Sequence, residues 1–411
     1  MPERYDVIVV GARCAGAPTA MLLARQGHRV LLLDKARFPS DKLSAPYLHA
    51  NGVERLRRWG LLDQLLRSGA PALRRLLVDL GNGLEFVIDH DTGSVLLHGV
   101  VVSRLAGDES DSVAYAPRRL VLDQILVEAA VQAGAELHPG CVVEDLVWEA
   151  DRVVGVLSRT GSQRRAARAE IVVGADGVNS VVARAVRAPM VVCAPVATCA
   201  YHTCFRGIDA EGMEVYLREG LAIMVLPTND GLLHIGVARP RAAFSALRTD
   251  VTGTFFRALD AVPRLAQRVL TGVQAEPITG TGMLPNYFRQ SFGPGWVLLG
   301  DAGYAHDPIT GLGISDAFRD AELVSAAIHR HLGTDAVLDS AFADYQRDRD
   351  ASSRVAFDIG NRLAALAPPG LDTLMLMATV GRGRPPSQPV SAALPSSSSE
   401  LEAAPLPIDD H

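Results

Sequence analysis

The stretch that most restricts the fold is Asp6–Lys35, DVIVVGARCAGAPTAMLLARQGHRVLLLDK. Asp6–Val10 is an apolar run and reads as a buried strand. Gly11–Gly16 reads as a turn, Ala17–Gln26 as a helix ended by Gly27, and His28–Asp34 as a second apolar strand. Strands without polar alternation are those covered on both faces, as in a parallel sheet. About thirty residues is the length of one β-α-β crossover. The chain is therefore expected to be an α/β protein with a Rossmann-like domain.

A strand that runs through glycines into a helix aims free N–H groups and the positive helix end at a pyrophosphate. Gly11 permits the tight turn, and Gly16 lets the helix lie close to the strand. Cys14 and Ala15 fill the turn between them, and Ala20 is small enough to continue the close packing. Asp34 stands 23 residues after Gly11, where a carboxylate accepts from a ribose 2′-hydroxyl, with Lys35 beside it. An acid there disfavours a 2′-phosphate, so the nucleotide is expected to be FAD or NAD rather than NADP. The middle glycine of such a loop is replaced by Arg13. Two roles stay open for it: a charge-assisted contact to phosphate, or a side chain turned to solvent or another loop.

At 411 residues the chain has room for two or three domains. Asn51–Leu66, Leu120–Ala133, Ile314–His331 and Leu338–Leu366 have helical spacing. RRLLVDLGNGLEFVID reads as a hairpin around Gly81-Asn82-Gly83, and LAIMVLPTNDGLLHIGVA as another around Thr228–Gly231. CVVEDLVWEADRVVGVLSRTGSQRRAARAEIVVGADG reads as a meander followed by a buried strand, and residues 190–275 read as mainly β. The expected division is a discontinuous nucleotide domain (1–72, 98–185, 276–345) and an inserted, mainly antiparallel β substrate domain (73–97, 186–275). A helical segment (346–381) and a Pro- and Ser-rich tail (382–411), too polar to offset its ordering entropy, follow.

Composition narrows the function. The net charge of −6 gives no general pull toward nucleic acid or anionic membrane. The five cysteines (Cys14, Cys141, Cys193, Cys199, Cys204) have no CxxC spacing, so neither a disulfide framework nor a metal site is expected. No apolar stretch reaches the roughly 18 residues of a membrane span, and no signal peptide precedes the first strand, so a cytoplasmic location is expected.

Two later motifs, IVVGADGVNSVVAR (171–184) and GWVLLGDAGYAHDPITGLGISDAFRDAELV (295–324), stand in order behind the first. With them the chain resembles, over roughly residues 5–345, the FAD-dependent monooxygenases of the para-hydroxybenzoate hydroxylase fold. That superfamily also holds geranylgeranyl reductases and flavin halogenases. The resemblance implies that Asp176-Gly177 lies near the FAD pyrophosphate and that Arg119, or else Arg118, opens a helix near the phosphates. It places Val143 beside the adenine. Gly300-Asp301 would meet the ribityl chain, and Pro308, Gly311, Gly313 and Ile314 would bring a helix start to the flavin N1–O2 edge, where negative charge gathers on reduction.

The resemblance further implies that NADH or NADPH reduces FAD transiently, that O2 adds to give a C4a-hydroperoxide, and that one oxygen passes to an apolar small molecule, aromatic or polyketide-like. C=C reduction of the geranylgeranyl reductase type, or FAD binding without turnover as a redox sensor, are the alternatives. The Trp-x-Trp-x-Ile-Pro stretch of the halogenases is missing, and the chain has three tryptophans and only two lysines. Tyr304 replaces the histidine often found after Gly-Asp-Ala-Ala. His306, two residues on, either faces the flavin or is an ordinary loop residue. Tyr201, Tyr216, Met224 and His234, with Cys199, are candidates for the substrate wall or for the core behind it, because alternation assigns faces without saying which face is the pocket.

Overall fold

The strand Arg4–Val10 lies inside an eight-stranded sheet of a computed structural model that describes residues 3–41, 44–81, 83–104 and 113–367. The tail 382–411, the end of the expected helical segment, and Asn82 of the first hairpin lie outside the described residues. Arg4–Val10 pairs in parallel with Val30–Asp34 and with Gln163–Gly174. Glu136–Pro139 and Trp296–Leu298 add parallel strands at the two sides. The sequence alternates between two equally apolar faces. Val7, Val9, Leu32 and Val173 pack against the helices Gly16–Arg25, Arg119–Gln132 and Gly313–His331. Ile8, Val10, Leu31 and Val172 pack under the antiparallel pair Cys141–Glu149 and Arg152–Thr160. Each such buried side chain contributes roughly 1.5–3 kcal/mol.

The second sheet has ten strands. Eight of its pairings are antiparallel; one is parallel and joins Met213–Arg218 to Arg75–Asp79. That pairing brings the two β-rich insertions of the sequence into one sheet. Its edge strand is Val100–Arg104, paired with Ser94–Leu97, so the sheet runs past residue 97, where the sequence division had returned the chain to the nucleotide domain.

Two further differences have local causes. The helical pattern of 51–66 is broken into Ala50–Trp59 and Leu62–Arg67, because Gly60 takes φ 75° and ends the first helix in the left-handed region. Residues 190–275 are not all strand. Three helices, Phe244–Thr249, Val251–Leu259 and Pro263–Thr271, cover the outer face of the second sheet. Phe255, Leu259, Leu265 and Val269 repeat at helical spacing and pack on Ile223, Ile235 and Val237. Among the described residues no helix is long and apolar enough to cross a membrane.

Candidate functional site

A cavity of about 2500 Å³ runs between the nucleotide loop, the loop 301–314 and the inner face of the second sheet. It brings together Gly11, Arg13, Cys14, Ala15, Asp34 and Lys35 with Arg119, Val143, Asp176 and Gly177. Asp301, Pro308, Gly311, Gly313 and Ile314 line its middle, and Tyr201, Met224 and His234 line the sheet side.

At the nucleotide end the glycines are sterically required. Gly11 has φ 100°, and a Cβ on it would lie 2.4 Å from the Ala175 carbonyl oxygen. A Cβ on Gly16 would lie 1.7 Å from the Gly11 carbonyl oxygen, so Gly16 serves the loop's closure and does not itself line the cavity. Asp34 caps this loop: its oxygens accept the N–H groups of Ala12 and Ala36, both at 2.7 Å. Each carboxylate oxygen keeps a second lone pair for a ribose hydroxyl. Asp176 accepts from the Val181 N–H at 2.6 Å, while its other oxygen, Oδ1, is buried without a partner among the described residues. Burial pushes this carboxyl above the usual carboxylate range, against the pull of Ser180 and the Val181 and Val182 amides.

Arg13 reaches another loop. Its guanidinium donates to Asp123 Oδ2 at 2.6 Å and Ser40 Oγ at 2.8 Å and lies over the Phe38 ring. Arg119 opens the helix Arg119–Gln132 and meets the same Asp123 through Nε and Nη2 at 3.0–3.1 Å, and the Cys14 thiol adds a contact at 3.2 Å. Asp123 is fully buried. Two guanidinium groups on one carboxylate leave a net positive charge beside the glycine turn, which suits a pyrophosphate. Arg118 instead spans the domains, pairing with Asp41, Asp230 and Glu276.

The loop 300–314 is clamped at both ends by one helix. Gly300, at φ 56°, donates its N–H to Asp320 at 3.1 Å, and it stands behind the cavity wall rather than in it. Asp301 faces the cavity. His306 lies 3.5 Å from Asp316, and Arg319 bridges Asp316 and Asp320 at 2.9 Å each. The His306 Nδ1 faces the Asp307 carbonyl at 3.0 Å, so it carries the hydrogen. Burial alone would lower the basicity of His306; the hydrogen bond and charge of Asp316 outweigh it and raise its pKa. Burial would raise the Asp316 carboxyl, but Arg319 and His306 outweigh it and lower it. Gly311 takes φ 67°, where a Cβ would strike the Tyr47 ring at 2.6 Å. At Gly313, the first residue of its helix, a Cβ would meet nothing within 4 Å. That open helix start, the glycine-closed turn and the unpaired Asp176 oxygen are the features an FAD molecule laid along the cavity requires.

His49 escaped the sequence reading. His49 lines the cavity, bonds the Thr310 carbonyl at 3.1 Å and packs edge-on to Tyr47. Burial lowers its pKa to about 4. YLHANG carries no motif; the only signal was His49 standing just before a helix. Tyr304, at the position of the usual histidine, stacks on Phe288 at 4.5 Å and is buried away from the cavity.

On the sheet wall the inward positions are Ala200 and His202, Met213, Val215 and Leu217, Ala222 and Met224, and His234 and Gly236. Tyr216 and Cys199 are not among them. Alternation turns both to the opposite face, into the core under the three helices, where the Tyr216 hydroxyl donates to Glu214 at 2.5 Å. Tyr201 packs mainly with that core, 6.2 Å from the Phe244 ring, and reaches the cavity with part of its ring. Burial lowers the His234 pKa to about 3.

Comparison with known proteins agrees with this geometry. A family model described as an FAD binding domain matches residues 4–358. The chain is 30% identical to the digeranylgeranylglycerophospholipid reductase of Methanocella arvoryzae over 334 residues, 80% of this chain and 78% of that protein. It is 28% identical to the enzyme of the same name from Methanosarcina mazei, over 80% of this chain and 76% of that one. Among solved structures, the flavin-dependent brominase Bmp2 superposes with a TM-score of 0.79 at 20% identity, covering 92% and 93% of the two chains. PqsL, a probable FAD-dependent monooxygenase from Pseudomonas aeruginosa, gives 0.73 at 24% identity, covering 92% and 99%. At such identities these two share the fold with this chain. The matched domain, the glycine-closed loop and the clamped 300–314 segment together make the chain an FAD-dependent oxidoreductase and a member of the FAD-dependent monooxygenase superfamily of the para-hydroxybenzoate hydroxylase fold.

Proposed function

We propose that this oxidoreductase takes two electrons from NADH or NADPH and transfers one atom of O2 to an apolar small molecule, the other atom leaving as water. FAD, when bound, supplies the electron relay and the site of oxygen chemistry. The observation that carries the reading is the wall facing the 301–314 loop: Met213, Val215, Leu217, Ala222 and Met224 are apolar, and His234 among them is held uncharged. Such a wall excludes water from a reactive centre and accepts an apolar substrate. The residues around it divide the remaining work. The turn 11–16, Asp34 and the Arg13–Asp123–Arg119 cluster bind and orient the nucleotide. The helix start at Gly313 offers N–H groups to developing negative charge. His306 faces Asp316, whose charge raises the basicity of the imidazole.

A second reading is reduction of a C=C bond. Similarity to the two reductases over 80% of the chain favours it, as does His306 at the cavity, its basicity raised by Asp316. One experiment separates the two. Purified protein is mixed with NADH or NADPH and a panel of phenols and polyenes, under air and under nitrogen. Oxygenation consumes O2 with the nicotinamide and adds one oxygen atom to the product. Reduction proceeds under nitrogen and adds two hydrogens. Flavin that neither nicotinamide reduces, with any member of the panel, overturns both.

A further inference from the structure

Two imidazoles stand side by side on the sheet wall. His202 and His234 stand on neighbouring strands, Thr198–Arg206 and Leu232–Pro240, with ring centres 4.9 Å apart. Both line the cavity. The one hydrogen-bond neighbour of His234 among the described residues is the Cys204 thiol, 4.0 Å from Nδ1. His202 meets Thr279 Oγ1 at 3.3 Å through Nε2, and its Nδ1 is buried without a partner among the described residues. An unpaired buried polar atom is unfavourable, and that cost is recovered by a ligand that brings the missing partner.

Arg75, Thr198 and Ser103 also line the cavity from this sheet, along with an apolar track. From the imidazole pair it continues through Met224, Val215, Val78, Ile88 and Leu97 to Val102, on successive strands. Seven strand spacings of about 4.8 Å separate Thr198–Arg206 from Val100–Arg104, so the wall is on the order of 30 Å wide. A neutral imidazole has one donor and one acceptor nitrogen. A hydroxyl matches both roles, an ether or ester only one, and a carboxylate brings acceptors without a donor, while Arg118, the cation that bears on His234, is already paired with Asp41, Asp230 and Glu276.

We propose that His202 and His234 form the subsite for the hydroxyl end of an elongated, otherwise apolar substrate whose body lies across the strands of the second sheet. This rests on the cavity being the substrate cavity of an FAD oxidoreductase.

Binding tests it without turnover. The flavin absorbance of the FAD-loaded protein is titrated, with no nicotinamide present, with dodecanol, dodecyl methyl ether, dodecanoate and octanol. Dodecanol should bind about tenfold more tightly than the ether, the worth of one good hydrogen bond, and more tightly than dodecanoate. Octanol should bind more weakly than dodecanol by at least tenfold, since each buried methylene adds roughly 0.8 kcal/mol. His202→Phe with His234→Phe should erase the alcohol preference. His234→Gln, which keeps a donor and an acceptor, should retain it. Equal affinity of wild-type protein for dodecanol and its ether overturns the proposal, as does an alcohol preference that survives in the double Phe variant. Failure of the oxygen-transfer reading would appear separately, as tight alcohol binding with no oxygenated or reduced product on addition of NADH or NADPH.

Discussion

The two sheets solve the same problem of burial with different tolerances. In the nucleotide-binding sheet, both faces of Arg4–Val10 are covered and the turn that follows is closed backbone against backbone. In the second sheet, one face meets helices and the other meets a cavity. The first arrangement allows one residue type at its tightest points; the second requires only that small or apolar side chains alternate. Binding of a fixed nucleotide needs the first kind of wall, and accommodation of a substrate needs the second.

The largest test of that contrast is Gly16→Ala. The added Cβ meets a carbonyl oxygen at 1.7 Å that cannot swing aside, so the loop must open. Loss of FAD retention, with destabilisation of about 4 kcal/mol or more, is expected from flavin-to-protein ratios and urea midpoints. Full flavin content in this variant would show that the loop is as tolerant as the sheet wall. Next in size is Phe255→Ala, which hollows the core between the second sheet and its helices, where Phe255 is 2% exposed. A loss of about 3–5 kcal/mol is expected by chemical denaturation, with FAD still bound to the folded fraction. Loss of FAD in folded protein would mean that the two regions are coupled more tightly than their separate cores suggest.

Acid should weaken both regions through one histidine each. Burial holds His49 near pKa 4 and His234 near 3, against about 6.5 in an unfolded chain. As pH falls below 6.5 the unfolded chain takes up these protons first. The stability from each neutral ring is therefore full above pH 6.5 and is lost as pH drops through the folded values. Each contributes up to about 1.4 kcal/mol per pH unit across that window. His306 acts with the opposite sign. Its pKa is raised, so its pairing with Asp316 stabilises fully below 6.5 and fades as pH rises through the folded value. Urea midpoints should fall from pH 6.5 to 4.5, and His234→Phe should flatten that fall. An unchanged slope in the variant would mean that His234 is hydrated or charged in the folded chain.

The nucleotide end was the legible part of this sequence, and the reason is steric. Gly11, Gly16, Gly311 and Asp34 are demanded by backbone geometry that only a few residue types satisfy, so their spacing carries the fold. The wall was half legible. A period of two divides Cys199, Tyr201 and Tyr216 from Ala200, His202 and Met224 on their strands, but only the helices at 244–271 decide which set faces the cavity. Those helices were themselves hidden, because Phe255, Leu259, Leu265 and Val269 are split over two short helices broken at Asp260–Val262. Least legible were His49 and the Asp316–Arg319–Asp320 clamp. Each acts on a loop far away in sequence, and no local pattern marks a side chain whose partner arrives through tertiary folding.

The smallest predicted effect is the most direct check on which face is which. Tyr216 was an equal candidate for the substrate wall, yet its hydroxyl lies on the helix side, donating to Glu214, which Arg268 also holds at 2.8 Å. Tyr216→Phe removes one hydrogen bond to a carboxylate that keeps its guanidinium partner, so the cost should be about 1 kcal/mol in urea midpoint. Ligand affinity and the flavin spectrum should not move, because the ring edge that changes is separated from the cavity by the sheet. Met224→Ala on the neighbouring strand should do the reverse on binding, weakening an apolar ligand by roughly tenfold through lost contact area. If Tyr216→Phe weakened ligand binding as much as Met224→Ala, the two faces of the second sheet would be exchanged, and with them the placement of His202 and His234.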